Sequence, residues 1–180
     1  AFSEAEFSQL MQHALLSPSS FNIQHWRFLR ITEPSVREQL KAAAWNQAQV
    51  TDASELLVIT ADINAWKKQP ERYWRNMDAE KQGTIVDMLT DFYKDREWLQ
   101  RDEAIRSGAM AAQNIMLSAK AMGYDSCPMI GFEFDKVAEI IKLPTDHVIV
   151  MLLAIGKATD TAWPRGGQLE LEDVLFENTF

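Results

Sequence analysis

Residues 17–28, "SPSSFNIQHWRF", place two hydroxyls (Ser19, Ser20) and two amides (Asn22, Gln24) between a Ser-Pro helix stop and an aromatic-rich run. Such groups carry no charge; they donate and accept hydrogen bonds along the edge of a polar ring. A second pair of amides, Asn46 and Gln49, is spaced i, i+3, so on one helix both face the same way. Gly131, after Pro128, Met129 and Ile130, lets backbone come close to a flat ligand. Arg165, in a tail with Pro164, Gly166 and Gly167, is a cation suited to a phosphate. Singly, each of these residues reads as well as a cap, a turn or a surface charge. Together with Pro18 they form a donor and acceptor set for a flavin, whose ring edge needs neutral partners and whose phosphate needs a cation.

Other chemistries find little support. His13, His25 and His147 lack metal-ligand spacing, and no H-E-x-x-H, paired C-x-x-C or P-loop lysine motif is present. Ser19 and Ser20 lack the G-x-S-x-G elbow of a serine hydrolase. Cys127, in a short strand with no histidine or basic residue close in sequence, reads as a buried, inert thiol.

These residues must be held by a layered scaffold. Ser3 and Glu6 form a capping box, and apolar residues at helical spacing extend the helix over 4–16. Residues 26–32 read as a strand, 33–44 as a helix with Pro34 near its start, and 46–54 as a short helix. ELLVITAD (55–62) and HVIVMLLAIG (147–156) are strands buried on both faces. Residues 63–98 are aromatic and charged, with helical segments broken near Pro70 and Gly83. A helix from 101 to 122, rich in Ala, Ser and Gly, lets another helix approach closely and ends at Gly123. A strand over 124–129 and a helix over 135–141 follow. Interleaved helices and strands indicate one α+β or α/β layered domain. The apolar tail, 157–180, is expected to pack on a partner chain, which favours a dimer.

The chain has 180 residues, 47% hydrophobic and 24% charged, enough for one domain with a substantial core. Its formal charge of −8 argues against non-specific nucleic-acid or anionic-membrane binding but leaves room for a local basic pocket. One cysteine excludes an internal disulfide framework and fits a reducing, cytoplasmic setting. The longest apolar run is too short to span a bilayer, and no signal-peptide pattern opens the chain.

Four segments, "SPSSFNIQHWRF", "WNQAQVTDASELLVITAD", "GAMAAQNIMLSAKAMGYDSCPMIGFE" and "LLAIGKATDTAWPRGG", together resemble the FMN-dependent nitroreductase family, closest to its quinone- and nitro-reducing bacterial members. The resemblance implies an α+β fold with a central, mostly antiparallel sheet flanked by helices. It implies a homodimer with exchanged tails and FMN at the subunit interface. Pro18, Ser19, Ser20 and Asn22 match the loop that reaches the flavin of the opposite subunit. Asn46 and Gln49 match residues on the pyrimidine edge, and Pro128, Met129, Ile130 and Gly131 match the turn beside the ring face and N5. Arg165 matches the phosphate cation, with Lys157 a weaker candidate, and Gln24 a residue that shapes the loop. The implied reaction takes a hydride from NADH or NADPH and passes it, by a ping-pong cycle, to a nitroaromatic or quinone, with no catalytic side chain. Residues 63–100 are expected to form a lid over the flavin. The implied alternatives are a flavin-binding scaffold without turnover, or a relative with dehalogenase or dehydrogenase chemistry.

Three departures stand out. The family's loop usually reads Q-P-W, and here His25 replaces the proline. Some members carry lysine where Gln49 sits. The family's arginine-rich phosphate-binding segment lies upstream of the point where this sequence begins, and its omission is expected.

Overall fold

A computed structural model describes residues 2–180. Helix α1 (Glu4–Ala14) opens on the expected capping box: the Ser3 hydroxyl accepts from the Glu6 N–H, and the Glu6 carboxylate accepts from the Ser3 N–H at 2.9 Å. Strand β1 (Trp26–Arg30) leads to α2 (Pro34–Ala43), a four-residue α3 (Gln49–Asp52) and β2 (Glu55–Asp62). Two 3₁₀ turns, Ala65–Lys67 and Pro70–Trp74, precede α4 (Ala79–Tyr93) and α5 (Glu97–Ala121). Strand β3 (Asp125–Met129), α6 (Phe134–Ile140) and β4 (His147–Gly156) complete the regular structure. The break expected at Gly83 does not occur; α4 runs through it, because a solvent-facing glycine weakens a helix without ending it.

The four strands form one antiparallel sheet in the order β1-β2-β4-β3. All eight residues of β2 are buried, and strand alternation explains how. Leu57, Ile59 and Ala61 face α1 and α5 with Leu153 and Ile155 of β4. Leu56 and Val58 face α2 and α6 with Leu152, Ala154 and Met129. Helices cover both faces, so the strand needs no polar side.

The small residues of α5 serve the sheet as well as α1. Pairing between β2 and β4 shifts at Ile59/Thr60, leaving Val150 as the extra residue of a bulge. Val150 lies against Gly108 of α5, where a Cβ would meet its Cγ2 at 2.6 Å.

A third apolar cluster joins residues 63–100 to the loop before β1. Ile23, Ala65, Trp66, Leu89, Tyr93 and Leu99 pack together, with Phe21 and Tyr73 against them. Trp66 and Tyr93 are buried, whereas Trp98 is exposed, so the aromatics of this region divide between packing and surface. Lys68 bridges Asp62 (2.8 Å) and Asp146 (2.6 Å), tying the same segment to the ends of β2 and β4. The tail beyond Gly156 is exposed, including Trp163, Leu169, Leu171, Val174, Leu175, Phe176 and Phe180.

Candidate functional site

The turn between α2 and α3 and the end of β3 meet on one side of the sheet. Gln47 makes the junction: its Nε2 donates to the Gly131 carbonyl at 2.8 Å and to the Ala44 carbonyl at 3.1 Å. Gln49 Nε2 donates to Gln47 Oε1 at 3.2 Å and lies 3.8 Å from Cys127 Sγ. Asn46 is not on a helix with Gln49, contrary to the i, i+3 expectation. It stands in the turn before α3 with φ 59°, next to Trp45 at φ 53°, and its side chain is exposed. Two consecutive left-handed non-glycine residues cost on the order of 1–3 kcal/mol each, and such strain clusters at binding sites. The space beside Gly131 is used by a protein side chain: a Cβ there would lie 3.1 Å from the Trp45 ring. Trp45, Pro128 and Ile130 remain exposed around it, whereas Met129 is buried and its side chain belongs to the core.

Beside this junction runs a cleft of about 770 Å³, lined by Gln49, Cys127, Gly156, Lys157 and the first tail residues. Cys127 is exposed there, not buried as expected. Its strand is the edge of the sheet, with a pairing partner on one side only. The two lysines of the cleft are engaged. Lys120 pairs with Asp125 at 2.8 Å, and Lys157 donates to the Gly123 carbonyl while its Nζ sits 4.2 Å from the centre of the Tyr124 ring. Arg165 is exposed and donates to Gln168 at 2.9 Å; it is not among the residues that line the cleft.

The loop before β1 lies elsewhere. Phe21, Asn22 and Gln24 all have positive φ (49°, 55° and 55°), so it too is strained. Ser19 Oγ accepts from the Gln24 N–H at 2.9 Å, and Gln24 Nε2 donates back to Asn22, so Gln24 shapes the loop. Asn22 Nδ2 donates to the Tyr73 carbonyl at 2.9 Å; Pro18 is exposed, and Ser19 and Ser20 are half-buried. This loop enters β1 at one sheet edge, while Pro128–Gly131 leaves β3 at the other. Three inter-strand spacings, about 14 Å, separate those edges. One chain therefore brings Asn46, Gln49 and the Pro128–Gly131 turn together, and keeps Ser19, Ser20 and Asn22 apart from them.

The model of the nitroreductase family matches residues 2–157. The chain belongs to the nitroreductase family. Among its relatives, Protein DrgA of Synechocystis is 54% identical over 157 residues, covering 87% of this chain and 75% of that one. A Bacillus subtilis protein named "Putative NAD(P)H nitroreductase MhqN" is 33% identical, covering 89% and 82%. A solved structure of an Exiguobacterium sibiricum protein, described as a "putative nitroreductase in complex with FMN", superposes with a TM-score of 0.88 at 32% identity, covering 97% of this chain and 87% of that one. The nitroreductase-like fold, an antiparallel sheet between helices, is thus the expected one. Among the described residues no helix is long and apolar enough to cross a membrane.

Two features of the structure are not legible in the sequence. The run "NQAQ" offers three amides, and only contact with Gly131 distinguishes Gln47 as the clamp. A polar cavity beside the Asn22 loop draws its residues from segments some 45 positions apart, so no local motif marks it.

Proposed function

We propose that this nitroreductase-family chain is an FMN-dependent oxidoreductase that takes a hydride from NADH or NADPH and passes it to a nitroaromatic or quinone, alternating donor and acceptor at one place. The observation that carries this reading is the junction of Asn46, Gln47, Gln49 and Gly131. It presents unprotonatable amides beside exposed Trp45 and Ile130 on a strained, pre-shaped turn. That donor set fits the polar edge and flat face of an isoalloxazine. The phosphate needs a cation, and Arg165 is the one proposed to supply it. Lys157 is committed to Gly123 and Tyr124.

FMN, when bound, supplies a two-electron centre that exchanges a hydride with nicotinamide and acceptor. The protein's part is to hold and exclude. Gln49 and Asn46 orient the ring edge, while the exposed apolar groups cover one face and leave water out. No side chain acts as catalytic acid or base.

A homodimer completes the site in this proposal. Ser19, Ser20 and Asn22 of one chain reach the cleft of the other, because the sheet keeps the two sets on opposite edges. The exposed tail, with seven large apolar side chains, packs on the partner, and residues 63–100 form the lid. A cytoplasmic, reducing setting suits an exposed free thiol at Cys127.

The test is anaerobic absorption spectroscopy of the purified protein with added FMN, then NADH or NADPH, then menadione. A bound flavin band that bleaches with the donor and returns with menadione is expected. Free FMN, or a bound band that no donor bleaches, would replace this reading with a flavin-binding or inert scaffold.

The neutral amide at Gln49 sets a further expectation. A cation there favours an anionic reduced ring, so Gln49→Lys raises the two-electron midpoint potential by on the order of 30 mV, equivalent to about 1.4 kcal/mol. Redox titration of both proteins checks this; an unchanged or lower value in the variant contradicts it.

A further inference from the structure

We propose that a second cavity, between the loop before β1 and the Pro70–Trp74 turn, binds the 2′-phosphate of the reducing dinucleotide and so favours NADPH over NADH. The inference rests on the reductase reading above. The cavity holds about 600 Å³ and carries Asn22, Gln24, Arg27, Arg72, Arg75 and Asn76 as its polar lining. Known ligand sites run from about 300 to 1,000 Å³, so a phosphoribosyl group has room.

The chain carries 18 basic against 26 acidic residues, yet three guanidiniums and three amides converge here and no carboxylate is among the lining residues described. A net-negative protein that gathers three arginines at one cavity reverses its sign locally, which draws in an anion. A guanidinium presents a fork of N–H donors that matches phosphate oxygens, and several forks suit a dianion better than a single carboxylate.

The cavity is also firmly built. Asn22 Nδ2 donates to the Tyr73 carbonyl at 2.9 Å and Trp74 Nε1 to the Phe21 carbonyl at 3.0 Å, so the two walls are tied together. Arg27 Nη1 donates to the Gln24 and Trp26 carbonyls at 2.9 and 2.7 Å, and its Nη2 lies 3.6 Å from the buried Asp62 carboxylate. Arg27 therefore shapes the floor. Arg72 is held 4.8 Å from the centre of the Tyr73 ring, with Nη2 donating to the Tyr73 hydroxyl at 2.7 Å. Neither Arg72 nor Arg75 is ion-paired among the described residues. Left-handed backbone at Phe21, Asn22, Gln24 and Gln69 brackets the cavity on both walls. Such strain persists only where surrounding structure holds it.

Asn22 and Gln24 belong both to this cavity and to the loop proposed to face the partner's flavin. A donor with its nicotinamide on that ring can reach the cavity with its far, charged end.

The test compares adenosine 2′,5′-bisphosphate with 5′-AMP, which differ by the 2′-phosphate alone, by titration calorimetry on the FMN-loaded full chain at low salt. Binding of the bisphosphate at least about tenfold tighter is expected. Arg72→Gln and Arg75→Gln each reduce that preference about three- to tenfold, and Arg75→Lys keeps most of it. In steady state, the NADPH:NADH ratio of kcat/KM falls in the same order. Equal binding of the two probes, or a preference that survives both glutamine variants, overturns the proposal. A flavin that bleaches with either donor at equal efficiency defeats the cavity proposal alone. A flavin that bleaches with neither donor defeats the reductase reading, and the probe titration still decides whether the cavity takes a phosphate.

Discussion

Lowering the pH from 7 to 4 destabilises the protein by about 3 kcal/mol through a single residue, His25. Its ring is fully buried, and neither ring nitrogen has a protein partner among the described residues. Tyr93 packs beside it, with ring centres 6.3 Å apart. Burial pushes the imidazole down to about 4, since a charge there loses its water; buried Asp62 opposes this, and Arg27 adds to it. The folded state thus binds the proton more weakly than the unfolded chain, whose histidine titrates near 6.5. Stability is fully present above about pH 6.5 and is lost as the pH falls toward 4, the shift corresponding to about 3 kcal/mol. Asp146 acts in a lower window: Lys68 and His147 hold its carboxyl down to about 2, so its contribution is present above its ordinary value near 3.8 and fades between there and 2. Urea unfolding of the wild type and His25→Leu, at one fixed protein concentration across pH 4 to 7, isolates the effect. The stability gap between the two should move by about 3 kcal/mol toward the variant at pH 4. Parallel pH curves would remove His25 from the account.

Gly108→Ala destabilises the protein by about 1–2 kcal/mol, although alanine is the better helix former by about 1 kcal/mol. The new Cβ falls 2.6 Å from Val150 Cγ2, with the valine's Cβ and Cγ1 each at 3.4 Å. Rotating the valine only exchanges one methyl for another, so α5 must move off β4. Overpacking of this kind costs about 2–3 kcal/mol at so close a contact, which leaves a net loss of about 1–2 kcal/mol after the helix gain. Val150→Ala in the same chain removes the colliding methyls, and the double variant should be about 1–3 kcal/mol more stable than the sum of the singles. Denaturant titrations of the four proteins measure that coupling. Additive behaviour would show that α5 and β4 do not meet as tightly as described.

The segment before β1 holds both His25 and the proposed flavin-facing residues Ser19, Ser20 and Asn22. His25 is buried there, with Tyr93 of the 63–100 segment as an aromatic neighbour. The loop's shape rests on Ser19 accepting from Gln24 and on Asn22 holding Tyr73. Hydrogen bonds within the loop and from the loop to residues 63–100 therefore hold its shape.

The amino-acid sequence alone determined whatever short-range physics decides. The Ser3–Glu6 capping box, the limits of β2 at 55–62 and β4 at 147–156, and the family membership carried by four motifs were all legible, because caps, buried apolar runs and local motifs are complete within a few residues. Tertiary structure decided what long-range packing sets. Asn46 left the helix for a left-handed turn because Gln47 is clamped to Gly131, 84 positions away. Cys127 is exposed because its strand became a sheet edge, a matter of strand order. Gly108 is needed because a bulge places Val150 against it. The separation of the two candidate binding segments and the gathering of Arg27, Arg72 and Arg75 likewise follow from which strands and turns become neighbours, which periodicity and composition do not encode.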